Sequence, residues 1–353
     1  MGFDWPRFSI PLDSRSNIKI NGDAKFFFKG GASIFPLGRY SSRYWFFLRI
    51  VLYSLWPLIK KCFIFKLHAG MDGLPELDCA RCVVKLEKTT YGGNRRELFF
   101  VFYENKEPVV LKMLETLGEL ERENVRLLKK LKLVEPSLEN SKVITFIPTD
   151  KKNTPLYISK SQYILGKRFV VPKMNNSLIN YVAMLQNLDC GKPISIEDYL
   201  FFGRCRNTRY EEILNLLIGS YGFSSNKISP GVSHGDFAPY NIIFTSQGIT
   251  AIDWEMAREG RNILYDVIYY YILLKVCFTP DISFEDLFLR MNSSSEELFH
   301  KLQIDKAYIH TIIYKDLNDM LDYFVKYEPN STTLSVLKSA KIWFENTASN
   351  IKN

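Results

Sequence analysis

The spacing of apolar residues changes character once along this chain, and that change constrains the fold. Between residues 82 and 165 they come in runs of strand length: Cys82-Val-Val-Lys-Leu86, Leu98-Phe-Phe-Val-Phe-Tyr103, Val109-Val-Leu-Lys-Met113, Val143-Ile-Thr-Phe-Ile147, Leu156-Tyr-Ile-Ser159 and Gln162-Tyr-Ile-Leu165. Turns containing Gly92-Gly93 and Pro108 separate the first three, which read as an antiparallel meander. One helix interrupts the strands, because Leu120, Leu127, Leu128 and Leu131 recur at helical spacing. From about residue 175 the pattern is mostly helical. The candidates are 177–188, 195–203, 209–219, 263–277, 284–291, 294–303, 306–326 and 332–346, with one hairpin near 240–253. The fold class expected is α+β: a small sheet-rich lobe, then a larger helical lobe, with a cleft between them.

Composition narrows the function classes. Of 353 residues, 46% are hydrophobic and 24% charged, a globular mixture that excludes disordered, collagen-like and disulfide-knot chains. The 46 Lys and Arg exceed the 38 Asp and Glu, for a net charge of +8. Residues 1–70 hold 11 basic and three acidic residues, which leaves 35 of each for the remainder. The whole excess therefore lies in the first fifth of the chain, which argues against a nucleic-acid binder with charge spread over its surface. Of six Cys, only Cys79 and Cys82 form a CxxC pair, and no second pair or nearby His completes a zinc site. They read as ordinary thiols of a reducing cytoplasm.

The N-terminal segment is basic and aromatic. Its run from Tyr44 to Ile59 is flanked by Arg39, Arg43, Lys60, Lys61 and Lys66. The run is shorter than the ~20 apolar residues of a spanning helix, carries Arg49 and meets Pro57. Residues 41–66 read either as a membrane-interface helix, with 39–66 meeting an anionic surface, or as a helix packed on the next domain. The start of the chain lacks the charge and apolar pattern of a secretory signal. The expected location is cytoplasmic, with peripheral attachment to the cytoplasmic face of a membrane if the first reading holds. The expected divisions are 1–75, an extension; 76–168, a sheet lobe; and 169–353, a helical lobe.

The stretch Ser233-His-Gly-Asp-Phe-Ala-Pro-Tyr-Asn241 leads into two short apolar runs, Ile242–Thr245 and Ile249–Ile252, around Ser246-Gln-Gly248. That is a hairpin signal. A hairpin sets its ends side by side, so Asn241 before the first strand comes close to Asp253 after the second. An amide oxygen and a carboxylate there form a hard-oxygen pair suited to Mg²⁺ with bound phosphates. Asp236, five residues before Asn241, can accept or align the proton of an attacking hydroxyl. Phosphoryl transfer needs little more than these parts.

This pattern resembles the aminoglycoside phosphotransferase and choline-kinase-like family. The resemblance is carried by His234-Gly-Asp-x-x-x-x-Asn241, by Ile252-Asp-Trp-Glu255 and by Gly260-Arg-Asn-Ile-Leu-Tyr-Asp266, and it covers roughly residues 80–350. It implies a bilobal protein-kinase-like fold in which the sheet lobe binds nucleotide and the helical lobe holds the acceptor. It implies Asp236 as catalytic base, Asn241 and Asp253 as Mg²⁺ ligands, and His234 and Asp266 as supports of the catalytic loop. It implies Lys112 on the phosphates of ATP, with GTP the alternative donor. Glu123 is its best-fitting partner, ahead of Glu119 and Glu121. Glu255 reads equally as a metal- or substrate-assisting acid or as a solvated acid at the hairpin end. The glycines of Tyr91-Gly-Gly-Asn94 read as well as an ordinary turn as a phosphate cover, and Ser159–Gly166 looks like an adenine-binding hinge.

The expected activity is ATP-dependent phosphorylation of a hydroxyl on a small molecule or saccharide, such as a lipid-linked or cell-envelope glycan intermediate. The alternatives are an aminoglycoside-type antibiotic kinase and a catalytically silent pseudokinase scaffold. The presence of Lys112, Asp236, Asn241 and Asp253 together disfavours the last.

Overall fold

In the computed structural model the described residues are 10–13, 16–22, 82–89, 95–114, 126–131, 142–146, 156–164, 171–188, 192–201, 208–218, 227–260 and 262–350, with single residues at 74, 77, 80, 166 and 170. The expected helix at 41–66, the turn 91–94 and Glu119, Glu121 and Glu123 lie outside them, as does the side chain of Glu255. The chain forms two compact units, residues 1–168 with 243–246, and residues 169–242 with 247–353.

The first unit is built on a seven-stranded antiparallel sheet. Its strands are β1 (Ile10–Asp13), β2 (Ser16–Gly22), β3 (Cys82–Thr89), β4 (Arg95–Phe102), β5 (Val109–Leu114), β6 (Lys142–Phe146) and β7 (Leu156–Gln162), in the order β1-β2-β3-β4-β5-β7-β6. The meander β3-β4-β5 is consecutive. The run expected as two strands, 156–159 and 162–165, is the one strand β7, which pairs with β5 and β6 along its length. The sequence reading left residues 1–75 outside the sheet. β1 and β2 correct this, since β2 pairs with β3 from Ser16↔Lys88 to Gly22↔Cys82. The period-2 placing of Ile18 and Ile20 is the local signal, weak because the strand is otherwise polar.

Alternation along the strands builds the core of this unit. Phe99, Val101, Leu111, Ile158 and Val83 pack with Leu74 and Leu77. On the opposite parity of β4, Phe100 and Phe102 set Tyr163 edge-on at 6.1 and 5.4 Å between ring centroids. From Leu98 to Phe102 β4 is apolar on both faces, as befits an interior strand.

The second unit is helical: α1 (Asn176–Gln186), α2 (Ile196–Phe201), α3 (Thr208–Ile218), α4 (Tyr265–Cys277), α5 (Phe284–Leu302), α6 (Ile309–Tyr327) and α7 (Thr332–Asn350). Its short strands are β8 (Ile194–Ser195) with β9 (Lys227–Ile228), and β10 (Val232–Ser233) with β13 (Arg258–Glu259). β11 (Ile242–Thr245) and β12 (Gly248–Ala251) form the hairpin. Every residue of α4 from Tyr265 to Leu274 is buried, and α5, α6 and α7 pack on it.

Two helices expected at 284–291 and 294–303 are the single helix α5. The expected gap falls at Asn292-Ser293, at the head of a serine run, because serine competes with the helix for backbone groups. Here the competition is resolved internally. Ser295 donates to the Met291 carbonyl at 2.8 Å, and Ser294 shares a 2.7 Å bond with the Tyr271 hydroxyl.

Candidate active site

The catalytic-loop candidate starts where β10 ends. β10 is register-paired with β13, Val232↔Glu259 and Ser233↔Arg258, which fixes the chain up to His234. Gly235 follows with φ of +81°, and a Cβ there would strike the Met256 carbonyl. Only glycine meets both demands. That accounts physically for glycine at the middle of His234-Gly-Asp236.

Asp266, in the first turn of α4, accepts the backbone N–H of His234 at 2.7 Å and of Gly235 at 2.9 Å. It thus grips the loop rather than capping its own helix. Burial pushes its carboxyl up to about 7, although the two amide bonds favour the charged form. His234 is fully buried, with its ring 4.4 Å from that of Trp254. Its Nδ1 accepts the Asp236 N–H at 3.3 Å. Burial lowers its pKa to about 3, so the imidazole is neutral at physiological pH. A neutral imidazole can accept that N–H, which ties the ring to the loop backbone.

Asp236 and Asn241 meet directly. Asn241 Nδ2 donates to the Asp236 carboxylate at 2.9 Å and to the Asp236 carbonyl at 3.0 Å. Both partners are acceptors, so the amide orientation is dictated and its Oδ1 faces away from Asp236. Pro239, Tyr240 and Asn241 form one 3₁₀ turn that enters β11. At the other end of the hairpin, the Ile252 N–H donates to the Asn241 carbonyl at 2.9 Å. The bond closes the base of the hairpin and brings Asp253, the next residue, beside Asn241.

Asp253 is exposed and has φ of 66°, one of two non-glycine residues with positive φ among the described residues. Backbone strain of this kind costs on the order of 1–3 kcal/mol and concentrates at functional sites. The Tyr240 hydroxyl lies in the field of both Asp236 and Asp253, and burial followed by these charges holds its pKa well above 10. Tyr269 of α4 also lies in the field of Asp236, a proximity that sequence reading missed because α4 is tyrosine-rich throughout.

The donor set fits a hard divalent cation. Asn241 offers an amide oxygen oriented by its own N–H bonds, and Asp253 a carboxylate reachable from solvent. Among the described residues no group of three His, Cys, Asp or Glu could hold a metal ion. Asn241 and Asp253 together would supply two oxygen ligands.

Lys112 lies in the other unit, on β5. It stands opposite Leu98 on β4 and Ser159 on β7, so it belongs to an interior strand and not to an edge. It is half-buried, on the sheet face opposite the Phe99–Leu111 core. The acids Glu197, Asp198, Glu211 and Glu212 of α2 and α3 are partly or fully exposed on their helices.

No family model matches the chain, and no curated protein matches it. Solved structures similar to it include the amicoumacin kinase hAmiN in complex with AMP-PNP, Ca²⁺ and Ami, at 12% identity and TM-score 0.41, covering 71% of this chain and 86% of that one. A thermostable mutant of aminoglycoside phosphotransferase APH(4)-Ia with ADP and hygromycin B is similar at 11% identity and TM-score 0.41, covering 76% and 92%. The macrolide 2'-phosphotransferase MphH from Brachybacterium faecium is similar at 14% identity and TM-score 0.40, covering 72% and 90%. These likenesses are distant, and the functional reading rests on the chain's own residues.

Proposed function

We propose that this chain is an ATP-dependent kinase that transfers the γ-phosphate to a hydroxyl of a small molecule. The observation that carries this reading is the junction of loop and hairpin: the Asp236 carboxylate held by Asn241, with Asn241 and Asp253 at the two ends of one hairpin. Asp236 aligns the acceptor hydroxyl and takes its proton as the phosphate arrives. Asn241 Oδ1 and the Asp253 carboxylate would hold Mg²⁺, which when bound neutralises charge on the phosphates. Lys112 orients the nucleotide, with Glu123 as its partner, as the family resemblance implies. Asp266 and His234 keep the loop in shape for Asp236. The sheet unit through residue 168 binds nucleotide, and the unit from 169 binds the acceptor.

The acceptor class we infer is a saccharide, including one carried on a lipid at a membrane surface. Tyr240 and Tyr269 lie in the field of Asp236, and Arg258 lies 5.5 Å over the Tyr323 ring. The basic segment 39–66 suits an anionic surface, where a lipid-carried saccharide would be met. No described helix is long and apolar enough to cross a membrane.

The test is ATP consumption with Mg²⁺ over panels of sugars, amino alcohols and lipid-linked saccharides. Turnover with a hydroxyl acceptor supports the proposal. No turnover, together with no stabilisation by ATP and Mg²⁺ in thermal unfolding, would overturn it.

A further inference from the structure

A buried polar cluster lies on the far side of the loop. Lys315 and Asp316 of α6 and Tyr199 of α2 are all fully buried. Lys315 Nζ donates to Asn262 Oδ1 at 2.7 Å, pairs with Asp319 at 2.8 Å, lies 3.4 Å from Asp316 and sits 4.2 Å over the Tyr199 ring. The Tyr199 hydroxyl donates to Asp316 Oδ1 at 2.8 Å and accepts the Ile263 N–H at 2.9 Å. Asp316 Oδ2 accepts the Leu264 N–H at 2.8 Å. Leu264 is the N-cap of α4 and its own side chain makes no cap. Asp316 therefore caps α4 from another helix.

A second clamp closes on the same turn. Gln186 of α1 donates to the carbonyls of Val232 at 3.0 Å and Asn262 at 3.1 Å, and accepts the Gly231 N–H at 3.1 Å. All of these bonds converge on the turn at residues 262–264 and on the strand that enters the loop. Two residues past that turn stands Asp266, which holds His234 and Gly235.

A buried ion pair is a weak device for stability, since apolar residues of similar size commonly do as well. What this cluster does that an apolar filling would not is satisfy the backbone N–H groups of Ile263 and Leu264 in one geometry. We propose that Tyr199, Lys315 and Asp316 are positioning residues: they fix the 262–264 turn, and through Asp266 the backbone that presents Asp236. The proposal rests on reading residues 234–236 as the catalytic loop, but its main readout does not depend on activity.

The experiment is native-state amide hydrogen exchange on the full chain, comparing wild type, Tyr199→Phe and Leu298→Ala. The last removes a buried core residue of α5 and serves as a control for general destabilisation. Tyr199→Phe deletes one oxygen and is the mildest break in the cluster; Lys315→Met is the stronger one. Expected is at least about tenfold faster exchange in 231–237 and 262–266 for Tyr199→Phe, beyond any change in α7. Leu298→Ala, compared at equal loss of urea midpoint, should show no such focus. The same pattern in both variants would overturn the proposal. In the ATP assay, Tyr199→Phe should lower kcat and leave KM for ATP within about twofold. Wild type without ATP turnover would count against the kinase reading, and the exchange result would still decide the positioning role.

Discussion

Gly235 stands where no residue with a side chain fits without displacement. Its φ of +81° and the Met256 carbonyl beside it make Gly235→Ala costly. The expected loss is on the order of 2–3 kcal/mol, read as a lower urea midpoint with unchanged slope. An unchanged midpoint would mean that the loop relaxes around the methyl group. His234 supplies a pH test. Its folded pKa of about 3 lies below the ordinary 6.5, so it contributes stability above 6.5 that is lost as pH falls toward 3. The stability advantage of wild type over His234→Asn should therefore shrink between about pH 7 and pH 5. An advantage that holds constant or grows over that interval would contradict a buried neutral imidazole. Asp236, Asn241 and Asp253 stood out as candidates from the loop and hairpin spacing, and Asp266 from the family resemblance. Tyr199, Gln186, Lys315 and Asp316 could not. Each is a single residue on a different stretch, and only folding brings them to one turn.

At the scale of elements, the long periodic helices and the meander were legible because their apolar spacing repeats. The failures fell where polar residues interrupt a pattern for reasons outside it. Asn292 and Ser293 look like a helix break, yet one helix runs through them, with Asn292 donating to Glu296 at 3.1 Å and the next two serines bonded to Tyr271 and the Met291 carbonyl. Ser294→Ala should then cost about 1 kcal/mol, since the Tyr271 hydroxyl loses a buried partner but keeps the Met174 N–H. Equilibrium unfolding checks this; a neutral or stabilising substitution would show that the helix does not need the bond. β1 and β2 went unread because a strand that is mostly polar carries little alternation. Lys112 lies in an apolar run, but only strand order shows that β5 is interior.

At the scale of the whole molecule, the distribution of charge sets a separate expectation. The net +8 is confined to residues 1–70, within which β1 and β2 belong to the sheet. Deleting that whole segment would strip two strands, so charge-neutralising substitutions are the sounder probe. Replacing Arg43, Arg49, Lys60, Lys61 and Lys66 by Gln should weaken co-sedimentation with anionic liposomes at least about tenfold, with a matching loss of salt dependence. Equal sedimentation of both forms would remove the membrane surface from the proposed function. The division of the chain after residue 168 follows the change from strand to helical periodicity. The acceptor left no comparable mark, because a pocket is assembled from distant residues and no spacing rule encodes it. The most direct measurement is transfer of labelled γ-phosphate from ATP to the acceptor found by the panel, for wild type and Asp236→Asn matched in folded fraction. The expected result is a loss of about 10²–10⁴-fold in transfer rate with ATP binding retained. Full transfer by folded Asp236→Asn would contradict the role assigned to the loop.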